Sequence, residues 1–148
     1  CLIMAYCHVA HDCIVGDRVI MANNATLAGH IVVEDDVILG GLTGVHQFVR
    51  IGRMSILGGY TKAVKDVPPY MMADGDPLKV YGLNKIGLER HGVSAEAQQA
   101  LKEAYKIVFR SDLTVAKALE RIAAEIAPLP EVLNFAEFIR KSERGISR

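Results

Sequence analysis

The chain has 148 residues, enough for one domain, or a domain with an appendage, around a substantial core. Lysine plus arginine and aspartate plus glutamate balance at 17 each, so no net positive field advertises a nucleic-acid partner. Hydrophobic residues make up 51%, yet no apolar run approaches the roughly 18 residues that cross a bilayer, and no secretory leader is visible. The cysteines, Cys1, Cys7 and Cys13, lie six apart. That is not a zinc-ribbon spacing, and their odd number argues against a disulfide framework, which points to a reducing compartment. The opening "CLIMAYCHVAH" starts in mid-pattern and reads as a piece of a longer protein.

Counted in sixes from Ile3, the first position reads Ile3, Val9, Val15, Met21, Leu27, Val33, Leu39, Val45, Ile51, Leu57 and Ala63, all apolar. The fifth position, from Cys7 and Cys13 through Val67, is small or β-branched throughout. Neither a 3.6-residue helix nor a two-residue strand alternation generates that register. A hexapeptide repeat predicts a parallel β-helix over residues 1–68, each hexad giving one short strand and a corner. The large aliphatic fills the interior, and the small residue, cysteine included, fits under the bend. The repeat resembles that of the hexapeptide-repeat acyltransferases. The resemblance implies three hexads to a triangular coil of eighteen residues and a left-handed winding, against the general preference for right-handed crossovers. Eleven hexads then make between three and four coils, stacked about 4.8 Å apart. The first coil is expected to present a raw edge.

The repeat stops at "DVPPY", where Pro68 and Pro69 cannot donate ladder hydrogen bonds. Residues 69–93, with Gly75, Pro77 and Gly82, read as a polar linker. Residues 94–148 read as a three-helix domain capping the last coil. Ser94 caps a helix to about Arg110, Thr114 caps a second, and Pro130 opens a third that ends near Gly145. Phe135, Phe138 and Ile139 are expected as packing residues. Lys102, Lys106 and Arg110 form a basic stripe at helical spacing. It would suit an acidic carrier protein, and a solvated helix face explains it as well.

With eighteen residues to a coil, His11 lies below Gly29 and Gln47, and Asp12 below His30 and Phe48. A glycine over a histidine leaves backbone unshielded, so its N–H can approach a developing oxyanion. A histidine beside a carboxylate suits a general base. Surface histidines are ordinary on a solenoid, a corner glycine often serves only its turn, and Asn23 and Asn24 suit a corner backbone. His8, His11, His30 and His46 supply imidazoles enough for a metal, as in the β-helical carbonic anhydrases. No column gathers three of them, since His8 and His11 differ in phase and His46 falls above Ala28, so no metal is expected.

The ordered motifs H-x-x-H-D, N-N-x-T-L-A-G-H, V-H-Q-F and G-L-N-x-x-G-L-x-R resemble the UDP-N-acetylglucosamine acyltransferases of lipid A biosynthesis, in their C-terminal portion. By that resemblance the protein transfers a 3-hydroxyacyl chain from acyl carrier protein to the glucosamine 3-hydroxyl of UDP-N-acetylglucosamine, the first step of the pathway. His11 matches the general base, Asp12 its supporting carboxylate, and Gly29 the oxyanion donor. His8, His30, His46 and Gln47 match sugar-nucleotide contacts. Asn84 and Arg90 match contacts to the uridine and phosphate part. His91 stands where a second arginine is usual and Ile86 where an acidic residue is usual, which puts nucleotide affinity in question. Gly59 stands where family members gate acyl length, and glycine there implies a longer chain. The family implies a homotrimer with its site between subunits, a cytoplasmic location in a Gram-negative-type bacterium, and no cofactor beyond the carrier's phosphopantetheine. Two other readings compete. One is the sibling N-acyltransferase that acts on a glucosamine amine, which typically lacks the G-L-N-x-x-G-L-x-R segment and this tail. The other is a non-catalytic hexapeptide scaffold.

Overall fold

The computed structural model describes residues 1–148. Eleven two-residue strands follow one another at six-residue intervals. They are β1 (Leu2–Ile3), β2 (His8–Val9), β3 (Ile14–Val15), β4 (Ile20–Met21), β5 (Thr26–Leu27), β6 (Val32–Val33), β7 (Ile38–Leu39), β8 (Gly44–Val45), β9 (Arg50–Ile51), β10 (Ile56–Leu57) and β11 (Lys62–Ala63). Every third strand pairs in parallel, giving three sheets: β1-β4-β7-β10, β2-β5-β8-β11 and β3-β6-β9. Leu2 aligns with Ile20, His8 with Thr26 and Ile14 with Val32, so one circuit takes eighteen residues. The chain is a parallel β-solenoid with three faces, here numbered by β1, β2 and β3.

Its interior follows the hexad. Met21, Leu27, Val33, Leu39, Ile51 and Leu57 are buried at position one, and Val19, Ala25, Ile31, Val37 and Val49 at position five. Where position five carries a hydroxyl, the carbonyl three residues earlier accepts its proton: Thr43 bonds to Gly40 at 2.6 Å and Ser55 to Gly52 at 2.5 Å. The hydroxyl is thereby buried without an unpaired donor. In the first coil the same pattern is uncovered. Ile3 is 50% exposed where Met21 above it is fully buried, the raw edge the repeat predicts.

Position four carries an unexpected conformation. Tyr6, Asp12, Arg18, Asn24, His30, Asp36, Leu42, Phe48, Met54 and Tyr60 all have φ between 55° and 68°, and none is glycine. Left-handed backbone is costly for such side chains. From the second coil onward each corner amide is tied to the coil before, which reinforces a conformation that Tyr6, Asp12 and Arg18 already adopt in the first. His30 N–H donates to the His11 carbonyl at 3.1 Å, and Phe48 N–H to the Gly29 carbonyl at 3.1 Å.

The solenoid continues one strand beyond the prolines. Pro69 lies against Gly52, where a Cβ would sit 2.3 Å from the proline nitrogen, so glycine makes room for the turn. β12 (Met71–Asp74) then pairs in parallel with β10, and β13 (Lys79–Leu83) folds back antiparallel on it. Residues 69–93 are therefore no irregular linker. They hold this hairpin and a short helix, α1 (Lys85–Arg90), capped by the Asn84 side chain. The alternation in "MMAD", buried then exposed, carries the strand despite the flanking glycine and prolines.

Three longer helices follow: α2 (Ala95–Phe109), α3 (Val115–Glu125) and α4 (Pro130–Arg140). Ser94 and Thr114 accept the N3 amide hydrogens of α2 and α3, as their positions predict. The last helix ends at Arg140, earlier than Gly145, because the tail turns back along the solenoid. There Ser147 N–H donates to the Asp66 carbonyl and the Ser142 hydroxyl to the Asp66 carboxylate. Phe135 and Ile139 join the core, while Phe138 lies under the Arg50 guanidinium, 4.3 Å from the ring centroid. No helix is long and apolar enough to cross a membrane.

Candidate active site

The corner between faces two and three holds the column that the eighteen-residue circuit predicts. His11 Nδ1 lies 2.9 Å from Asp12 Oδ2, and His30 Nε2 3.8 Å from the same oxygen. The imidazoles of His11 and His30 meet edge to face, centroids 5.1 Å apart. Phe48 stacks on His30 at 4.7 Å with the rings 7° from parallel. The His11 hydrogen bond and the nearby His30 charge hold the Asp12 carboxyl below the usual carboxylate range. With Asp12 accepting from Nδ1–H, the lone pair of His11 lies on Nε2.

Gly29 is what lets that ring stand where it does. A Cβ on Gly29 would sit 2.6 Å from His11 Cε1 and 2.8 Å from Nε2, so any side chain displaces the imidazole. The glycine is required for space and not for its backbone, which has no positive φ. Its N–H also donates to nothing in the chain. At two other corners an acidic side chain accepts the proton of this hexad position, Asp35 from Asp17 N–H at 2.8 Å and Glu34 from Arg53 N–H at 2.9 Å, while the N–H groups of Gly41, Gln47 and Gly59 are free like that of Gly29. The exposed imidazole and the buried glycine with its free amide thus lie against each other at one corner.

His11, Asp12 and His30 each offer a donor atom within 4.8 Å of the others, two imidazoles and a carboxylate of the kind zinc accepts. Neither His8 nor His46 joins that group. His8 faces outward on face two beside Thr26, and His46 and Gln47 lie exposed just before the corner.

The remaining sequence-predicted residues stand on other edges. Gly59 is at the corner between faces one and two, exposed, with only the Gly41 carbonyl and amide near a Cβ built on it. Asn84 is at the corner between faces three and one, where its Nδ2 donates to the Met54 carbonyl at 2.9 Å and its Oδ1 accepts from Gly87 N–H. His91, at the end of α1, lies 3.9 Å from Asp36 on that corner, and Arg90 and Ile86 are exposed on the same helix. Asp36 is buried and gripped by Arg18 at 2.8 Å, which holds its carboxyl low. One chain therefore spreads the predicted residues over three edges.

A comparison with known families matches residues 66–147 to the second domain of "Udp N-acetylglucosamine O-acyltransferase". The chain belongs to this family. Residues 1–29 also match the bacterial transferase hexapeptide. Among curated UDP-N-acetylglucosamine O-acyltransferases, that of Thiobacillus denitrificans is 53% identical over 146 residues, 99% of this chain and 57% of its own length. That of Anaeromyxobacter dehalogenans is 46% identical over 147 residues, again 57% of its length. The chain thus spans a little over half of the curated relatives it matches. Of solved structures, LpxA from Acinetobacter baumannii superposes with a TM-score of 0.96 at 47% identity, over 99% of this chain and 57% of that one. The UDP-N-acetylglucosamine acyltransferase of Arabidopsis gives 0.89 at 39%, over 96% and 53%. Membership of the O-acyltransferase family displaces the sibling N-acyltransferase reading.

Within this family member, the Arg18–Asp36 pair is the neighbour of the predicted residues that the sequence did not single out. Phe48 is legible as the third member of the series 12, 30, 48; the approach of His91 to Asp36 carries no local signal.

Proposed function

We propose that the protein transfers a 3-hydroxyacyl group from acyl carrier protein to the 3-hydroxyl of UDP-N-acetylglucosamine; the names of its relatives describe acyl transfer from that carrier to an oxygen of that sugar nucleotide. The observation that carries the reading is the His11 imidazole, backed by Asp12, lying against the unpaired Gly29 amide. His11 Nε2 takes the proton of the sugar hydroxyl as its oxygen attacks the thioester carbon. The Gly29 N–H stabilises the resulting oxyanion. The new C–O bond forms in that attack; collapse restores the carbonyl, breaks the C–S bond, and passes the proton from His11 to the departing thiolate. His8, His30, His46 and Gln47, around that corner, hold the sugar nucleotide. Asn84, Arg90 and His91 meet its uridine and phosphates. Gly59 leaves room for a long acyl chain. The protein needs no cofactor of its own, because the carrier's phosphopantetheine delivers the acyl group.

Three separated edges cannot furnish one site within a chain, so the site forms between copies. A homotrimer, wound left-handed as in the hexapeptide-repeat acyltransferases, brings one chain's His11 edge to a neighbour's Asn84 edge. A cytoplasmic location fits substrates of this kind. The test is the complete enzyme given UDP-N-acetylglucosamine and a series of 3-hydroxyacyl carriers, with ester product and free carrier thiol both measured. Equal amounts of the two, highest with long chains, are expected; thiol release without ester would refute the transfer.

A further inference from the structure

Two successive coils bring three metal-ligating side chains to the corner between faces two and three. Asp12 follows His11 in the chain, and His30 is carried over them by one circuit, its N–H donating to the His11 carbonyl at 3.1 Å. Asp12 and His30 share the left-handed corner backbone, with φ at 60° in each, so both side chains leave the corner the same way. Phe48, one circuit further on, stacks on His30 at 4.7 Å and sets the plane of its ring. Asp12 Oδ2 then lies 2.9 Å from His11 Nδ1 and 3.8 Å from His30 Nε2, and no two of the three donors are more than 4.8 Å apart.

Zinc holds imidazole nitrogens at about 2.0–2.1 Å and carboxylate oxygens at about 2.0–2.2 Å, which in a tetrahedron sets neighbouring donors about 3.4 Å apart. A shift of about half an ångström at each contact meets that spacing. His11 Nδ1 and Asp12 separate once the proton between them is gone, and His30 closes in. The side chains have the freedom to do so, being 70%, 65% and 42% exposed at His11, Asp12 and His30. Two imidazoles with one carboxylate suit zinc and the neighbouring transition metals, whereas magnesium and calcium take oxygen ligands. The fourth position faces solvent, and water fills it.

We infer that this corner is an inhibitory zinc site, in which His11 Nδ1, Asp12 Oδ2 and His30 Nε2 hold the ion. The metal disables the base without removing it. Zinc binds a lone pair, so Nδ1 gives up its proton, and the neutral imidazole then carries its single proton on Nε2. The atom that takes the sugar proton becomes a donor and has nothing left to accept with. No proton is lost in this exchange, which moves one from ring nitrogen to ring nitrogen through water. His30 is withdrawn from the sugar nucleotide at the same time. The site is a property of the corner alone, and its effect on acyl transfer rests on the function proposed above.

Zinc dialysed against the complete enzyme tests the site, and zinc added to the assay tests the inhibition. His11→Ala, Asp12→Ala and His30→Ala should each weaken zinc binding at this site by about 10²-fold or more, while His46→Ala binds zinc as wild type does. Diffraction from zinc-soaked crystals, recorded at the zinc absorption edge, should place the ion about 2.0–2.1 Å from His11 Nδ1 and not on Nε2. Saturating zinc should lower kcat by about 10²-fold or more, with the rate restored by a chelator and unaffected by magnesium at the same concentration. Zinc binding that survives all three substitutions, or an ion seated on Nε2, would overturn the site. An ion bound at the corner of an enzyme whose rate is unchanged would overturn the inhibition. Zinc that binds wild type and is lost from the variants, in an enzyme that transfers no acyl group even after chelation, would leave the site standing and overturn the function.

Discussion

Replacing His11 with alanine is expected to lower kcat for acyl transfer by about 10²- to 10⁴-fold while changing the sugar-nucleotide KM by no more than about 3-fold. Removing a general base acts on the transition state, where the sugar proton is in flight, and not on the ground-state complex. His11 and Asp12 are largely exposed, 70% and 65% by side chain, so nothing in the core depends on them. A thermal midpoint equal to wild type should accompany the loss. An ordinary surface histidine would give the same melt with an unchanged rate. Asp12→Asn should cost less than His11→Ala, since it removes the orienting bond to Nδ1 and leaves the base.

Gly29→Ala should be nearly as damaging for a different reason. The new methyl would occupy the space of the His11 ring, 2.6 Å from Cε1, and the exposed ring swings aside more easily than the corner backbone yields. With the base displaced and the amide shielded, kcat should fall by about 10²-fold or more. The fold should be nearly indifferent, because Gly29 has no positive φ that alanine would strain. Gly41→Ala, at the same hexad position in another column, is the control, its nearest neighbour being the Asn23 carbonyl at 3.4 Å. It should retain near wild-type rates. Equal losses at both positions would mean that glycine serves the corners in general and not the imidazole.

These two expectations were legible in the sequence because a solenoid turns spacing into proximity. Once the circuit is eighteen residues, 11 under 29 and 12 under 30 need no further information. The corner conformation was not legible in the same way. Among position-four residues Tyr6, Arg18, Leu42, Met54 and Tyr60 carry no preference for positive φ, and only Asn24 advertises one. Tyr6, Asp12 and Arg18 adopt it with no coil before them, so it belongs to the corner of the hexad itself, and the inter-coil amide bonds reinforce it from Asn24 onward. The hairpin after Pro69 was hidden by prolines and glycines that read as a linker, its strands being too short to declare a period. The edges on which Asn84 and His91 settle depend on how that hairpin directs α1 back along the solenoid, a long-range matter that no local motif encodes.

The distribution of the site over three edges is the claim on which the account turns, and subunit exchange tests it directly. His11→Ala and Arg90→Ala chains of the complete enzyme, each nearly inactive alone, would be dissociated, mixed in equal amounts and reassembled. If each site takes its base from one chain and its nucleotide grip from the next, about a quarter of the sites become intact, and activity should return to about that fraction of wild type. If no activity returns, base and grip lie in the same chain, and the site proposed between copies does not exist.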